Sequence, residues 1–346
     1  MKPRSDSDKP ERSRGLVKIG DIAASLLAKV EILPPEQPRL DISRRAQKRI
    51  EGIERIRLER REEKQKLGYL ARPFILCGLP FKPKKGQSTY KRVNGTESLE
   101  IIASPDYGLP FGADIQVLVW VSTLAVFQMK DNGGKIPRVI TFRSGADFLK
   151  AFGLPLDGAS YKRARDRFLR IFYSTFYWGE KGAKRDRMFR VHFFDQIDLW
   201  FSKDLDTDTL PGDEFENKIV LSEGFAADLE KHHPPIELSA LAAWSDKPAQ
   251  VYFYLWLVFR CYLAETRSEI PLMGRNSVFE QCGVEGYSGE SGERNFVKKV
   301  SKWLAGVKAA WPECPASLSV GASGRRCLII EGHARAIHER KFALLA

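Results

Sequence analysis

The clearest signal in the chain is the change of rhythm in its apolar positions. From Phe111 to Met129 they fall on every side of a helix (Ile115, Val117, Leu118, Val119, Trp120, Val121, Leu124, Phe127), which is the pattern of a buried element. Val139 to Phe142 reads as a strand, and Ser144 to Phe152 as a short helix stopped by Gly153. A turn with Pro155 and Gly158 follows. From Ser160 to Tyr173 the period is helical: Tyr161, Ala164, Phe168 and Phe172 share one face, and Arg163, Arg167 and Arg170 line the other. Ser160 is expected to cap that helix. Thr175 to Trp178 and Met188 to Phe193 then alternate as strands. Their connection, Gly179 to Arg187, has a basic tip.

The same order returns further on. Lys218 to Leu221 reads as a strand and Glu223 to Lys231 as a helix, followed by an aromatic-rich helix from Pro248 to Leu263. Ser277 to Gly283 echoes the short helix with its glycine stop. Ser291 then opens a long helix whose apolar stripe is Val297, Val300, Leu304, Val307 and Trp311. A hairpin, Ser317 to Val320 and Cys327 to Ile330, carries Arg325 and Arg326 at its tip. The pattern predicts an α+β chain of two winged-helix domains in tandem, related by architecture more than by sequence. Upstream, Pro73 to Cys77 and Ser98 to Ile102 read as strands, and the connection between them is basic.

The expected division is a disordered tail over 1–38 and a charged helix or linker over 39–66. A first winged-helix domain spans 67–205, an acidic linker 206–216 and a second domain 217–346. The tail is too polar to bury, although Asp21 to Val30 could form a short amphipathic helix. The charged helix has a thin stripe of Ala46, Ile50 and Ile53.

Charge sharpens this picture. The formal net charge of the 346 residues is +12. Residues 1–66 carry 18 Lys/Arg against 12 Asp/Glu, residues 67–205 carry 22 against 13, and residues 206–346 carry 16 against 19. The positive field therefore belongs to the first two-thirds, and it favours a polyanionic partner. A basic helix followed by a basic-tipped hairpin suits a duplex groove and its flanking phosphates. The candidate DNA-binding residues are Lys162, Arg163, Arg167 and Arg170 on the helix, with Lys181, Lys184, Arg185 and Arg187 on the hairpin. In the second half they are Arg294, Lys298, Lys299 and Lys302, with Arg325 and Arg326.

The search for chemistry points away from an enzyme. No G-x-x-x-x-G-K-[ST] is present, and Gly133-Gly134-Lys135 has no following Ser/Thr. The five histidines form no H-x-H, H-x-x-x-H or H-E-x-x-H, and G-x-S-x-G is absent. The five cysteines are scattered and odd in number, which argues against a disulfide framework or a zinc site and fits a reducing cytoplasm. No metal or cofactor is expected. The run Val251 to Phe259 is half the length a bilayer requires, so no membrane association is expected.

Three runs resemble the plasmid-encoded RepA replication initiators. They are Arg72 to Pro80, Pro137 to Phe142 with the helix pair through Tyr173, and Phe176-Tyr177-Trp178-Gly179. The likeness covers roughly residues 67–265. It implies two winged-helix domains, binding of duplex DNA at origin repeats, and recruitment of host replication proteins such as a helicase or its loader. A homodimer and autoregulation of the chain's own promoter fit the same picture. A winged-helix transcriptional repressor without a replication role is the alternative. In the better-described initiators the C-terminal domain is the main base reader, whereas here the charge lies in the first.

Overall fold

The computed structural model describes residues 43–82, 86–181, 186–199, 217–283 and 287–337. The expected tail over 1–38 and the acidic linker over 206–216 lie outside the described residues. The chain divides into two units, Met1–Gln47 and Lys48–Ala346. Of the first, only residues 43–47 are described.

The first element, α1 (Arg44–Arg61), is the expected charged helix, but its buried contact is shifted. Ile50 is exposed and Ile56 is fully buried. Gly52 sits where an added Cβ would approach Ala243 Cβ to 2.7 Å, so its lack of a side chain permits the close approach. Next come β1 (Leu67–Tyr69), α2 (Arg72–Leu76), β2 (Thr89–Asn94) and β3 (Glu97–Ile102). The stretch Pro73 to Cys77, expected as a strand, is the helix α2. Pro73 stands at its first turn, where the missing N–H costs nothing, and all of Pro73 to Leu76 is buried.

A single 3₁₀ turn leads into α3 (Ile115–Met129), after which come β4 (Val139–Phe142), α4 (Gly145–Ala151) and α5 (Gly158–Phe172). Gly112–Met129 is long and apolar enough to cross a bilayer, but 67% of it is buried inside the fold. It is a core helix, and its all-round apolarity matches that placement. The hairpin is β5 (Thr175–Lys181) and β6 (Asp186–Val191), and β7 (Phe194–Asp198) follows.

The second half runs β8 (Asn217–Leu221), α6 (Glu223–Lys231), β9 (Pro235–Glu237), α7 (Leu238–Ala243) and α8 (Pro248–Leu263). It closes with β10 (Arg267–Pro271), α9 (Val278–Gln281), α10 (Gly289–Ala310), β11 (Ala316–Val320) and β12 (Arg326–Glu331). The mixed α+β class is as expected. The order helix, strand, short helix, long helix, hairpin occurs twice, from α3 to β6 and from α8 to β12.

Strand pairing breaks the duplication. The second copy forms a self-contained sheet, β10–β12–β11, whereas the first hairpin extends β2–β3 into the sheet β2–β3–β5–β6. β4 pairs instead with β8, which also pairs with β7. This corrects the boundary placed at 206–216. β8 does not open a second domain, because it is the central strand of a sheet made with the first half. β1 pairs with β9 in the same way.

Buried contacts cross the same line. The Tyr252 hydroxyl donates to the Leu76 carbonyl. Glu237, fully buried, accepts from Arg60 at 2.7 Å, Gln65 at 3.0 Å and Tyr254 at 2.6 Å. Phe193 lies 5.2 Å from Phe74 and 4.9 Å from Phe225. Residues 67–337 therefore share one core.

Candidate nucleic-acid interface

The helix α5 is fixed from below by aromatic packing. Tyr161, Ala164, Phe168 and Ile171 are buried, and the Phe168 ring lies 5.3 Å from Phe148 of α4 and 6.3 Å from Phe142 of β4. α4 ends in a Schellman arrangement: the Leu154 N–H donates to the Leu149 carbonyl at 2.8 Å, with Gly153 at φ +59°. That reversal sets the angle between the two helices. The cap of α5 is Asp157 rather than Ser160. Its Oδ1 accepts from the Ser160 N–H at 2.7 Å, because the helix begins two residues before Ser160. The Ser160 hydroxyl and N–H, with Arg163 nearby, hold the Asp157 carboxyl below its ordinary pKa.

The arginines of α5 divide into two groups. Arg163 is exposed, and it donates to the Ser160 Oγ at 2.7 Å while lying 3.9 Å from Asp157. Lys162 and Arg165 are also exposed. Arg167 and Arg170 are not on the free face, which corrects the expectation that all three arginines line it. Arg170 makes two hydrogen bonds to Asp114, at 2.7 and 2.8 Å, and Asp114 is 1% exposed. Arg167 donates to Gln116 Oε1 at 2.6 Å and lies 3.9 Å from Asp114. Burial, with Arg170 and Arg163 alongside, pushes the Arg167 pKa down. At 100° per residue Arg167 falls on the shoulder of the apolar stripe, within reach of the start of α3. Arg165, passed over in the sequence, takes its place on the solvent side. The signal was available: Arg165 lies between the buried positions 164 and 168 without sharing their face.

The C-terminal end of α5 carries a stacked pair, Tyr107 and Tyr173, with ring centroids 4.5 Å apart and planes within 7°. Both rings are part-exposed. Beyond it, β5 and β6 pair from Phe176↔Val191 to Lys181↔Asp186. Arg190 and Phe189 are exposed on β6. Lys184 and Arg185 lie outside the described residues, as do the side chains of Lys181 and Arg187.

In the second half, Arg294, Lys298 and Lys302 are exposed along α10, and Lys299 Nζ lies 5.6 Å from the Trp303 ring centroid. Arg325 and Arg326 are exposed at the turn between β11 and β12. That turn is anchored by Glu269, whose carboxylate accepts from the Ala322 N–H at 2.8 Å. The same contact, with Arg267 beside it, lowers the Glu269 pKa. The structure brings Lys298, Lys299 and Lys302 together on the wall of an open cleft of about 1250 Å³. Arg294, Arg325 and Arg326 do not line it. Lys82, Arg92 and Lys247, absent from the candidate set, do. Burial and the nearby Arg49 push the Lys247 pKa down.

No protein-family model matches the chain, and no curated protein matches it. The RepA resemblance therefore rests on the residues quoted for it. Two crystal structures of domains 2 and 3 of RctB are similar to the chain. A selenomethionine derivative matches at a TM-score of 0.46 and 14% identity, covering 77% of this chain and all of that one. The RctB-155-483 structure matches at 0.40 and 16%, covering 73% and 95%.

Proposed function

We propose that this chain is a non-catalytic replication initiator that binds repeated duplex DNA sites at a plasmid origin. The observation that carries the reading is the arrangement at α4, α5 and the β5–β6 hairpin. A helix pair with a fixed reversal presents Lys162, Arg163 and Arg165 on its second member, and a hairpin with a basic tip sequence follows. In the winged-helix mode the second helix enters the major groove and the hairpin touches backbone. α8 to β12 repeats the order, with its own three-stranded sheet behind a basic helix and a tip bearing Arg325 and Arg326. In this reading the protein acts in the cytoplasm as a homodimer, recruits a host helicase or loader, and represses its own promoter.

The test has two steps. Binding of the full chain to an origin-derived repeat is measured against an unrelated duplex, from 50 to 200 mM salt. With about six to ten phosphate contacts, affinity is expected to fall on the order of a thousandfold or more across that range. A flat salt response would overturn duplex binding. Replication of a plasmid carrying the repeats beside an A·T-rich stretch then tests the initiator role. Binding without replication would leave a repressor.

A further inference from the structure

Six cations line the cleft beside α10: Lys82, Arg92, Lys247, Lys298, Lys299 and Lys302. They come from three places in the sequence. α10 supplies one wall, Pro80, Phe81 and Lys82 with β2 supply another, and the opening of α8 forms the facing rim. Among the described residues one carboxylate, Asp246, lines the cleft. It is already ion-paired with Arg49 at 3.3 Å. Gln250 ties the α8 rim to the α10 wall by donating to the Trp303 carbonyl at 2.9 Å.

Arg92 is the unusual member. It is 5% exposed, and its Nε and both Nη atoms make no hydrogen bond of normal geometry among the described residues. Its guanidinium is surrounded by the rings of Tyr252, Phe81 and Tyr90, at 5.0, 5.4 and 5.4 Å. The Tyr252 hydroxyl donates to the Leu76 carbonyl, and its oxygen is a neutral partner for the guanidinium. Gly283, also lining the cleft, leaves just enough room: a Cβ there would come within 2.2 Å of Arg92 Nε. A guanidinium stays protonated, and buried charges are ordinarily paired. Here a positive charge is fixed beneath the floor of a basic cleft, with no carboxylate against it among the described residues. Low-dielectric walls focus such a field into the opening. The positive end of α8 adds to it, since Lys247, Pro248 and Ala249 stand at the rim.

We propose that this cleft is a polyphosphate site, taking adjacent phosphoryl groups presented by either a DNA strand or a nucleoside triphosphate. Lys298, Lys299 and Lys302 lie within about one turn of one another, so their ammonium groups can meet neighbouring phosphates together. The site is separate from the solvent face of α5, and the two fail independently.

The experiment titrates the full chain with inorganic tripolyphosphate by calorimetry at low salt. A saturable single site is expected in the parent. The K298Q/K299Q/K302Q variant is expected to bind about tenfold more weakly or worse, since three solvent-screened ammonium contacts are lost together. Lys247→Gln, on the opposite rim, should weaken binding in the same direction. The α5 variant K162Q/R163Q/R165Q should bind tripolyphosphate like the parent, whatever it does to duplex binding. Absence of saturable binding in the parent overturns the proposal, as does equal weakening in the cleft and α5 variants. The source is read by competition. Displacement by the origin duplex identifies a DNA strand, and tighter binding of ATP without displacement by duplex identifies a nucleotide.

Discussion

Asp114 shows how one residue can decide the role of two others. Its carboxylate takes both Arg170 bonds and stands beside Arg167, and it also accepts from the Phe111 N–H at 3.0 Å. Asp114→Ala would leave two partly buried guanidinium groups without their counter-charge. It should destabilise the fold by about 3–5 kcal/mol, seen as a lower urea midpoint with an unchanged slope. Asp157 bears on stability through its own titration. Its depressed pKa means that its support for α5 is fully present above the unfolded aspartate value, about 3.9, and is lost as pH falls through the lower folded value. An acid series of unfolding midpoints should therefore fall less steeply below about pH 4 in Asp157→Ala than in the parent. Cys77 and Cys282 are buried, and burial pushes both thiols up to about 12. At pH 8 neither should alkylate in the native protein, and both should after unfolding in urea, as peptide mass mapping would record.

At the scale of elements, α5 and its hairpin should contribute differently to DNA binding. Replacing Arg163 and Arg165 with Ala is expected to relax base preference, at about 1–3 kcal/mol for each arginine that reads a base. Replacing Lys181, Lys184, Arg185 and Arg187 should weaken all sequences alike and reduce the salt slope, since a hairpin tip mainly meets backbone. Competition titrations with matched and mismatched duplexes separate the two. A hairpin variant that loses specificity while the helix variant keeps it would reverse the assignment. Arg167→Ala and Arg170→Ala belong to a different group. Their first effect should be on stability, because they join α5 to the start of α3.

At the scale of the molecule, the sheet β4–β8–β7 determines what can be separated. A fragment covering 67–205 lacks β8, the strand that both β4 and β7 pair with, and it lacks β9, the partner of β1. It also loses Phe225 from the aromatic cluster at Phe193. The fragment should therefore show no cooperative urea transition by circular dichroism, and a clean two-state transition would overturn this reading of the core. Tethering of two independent binding domains is for the same reason a poor description of this chain. Its two repeated units are parts of one core, so their relative placement is set by packing rather than by a linker.

Much of this was written locally in the chain. The apolar period alone placed α3, α5, α8 and α10 and the two hairpins, because helix and strand faces recur every 3.6 and 2 residues whatever lies opposite. The glycine stop at Gly153 and the repeated element order were legible for the same reason. Pairing was not. Which strand lies beside β4 depends on contacts made from 75 or more residues away, and no local period encodes a partner. The fate of the arginines was equally hidden. Arg163, Arg165, Arg167 and Arg170 are alike in sequence, and only the approach of Asp114 and Gln116 on a neighbouring element ties two of them down and leaves two in solvent. The cleft is the strongest case. Lys82 and Arg92, Lys247, and the α10 lysines are dispersed over more than 200 residues, and they act together only because the core brings β2, α8 and α10 to one opening.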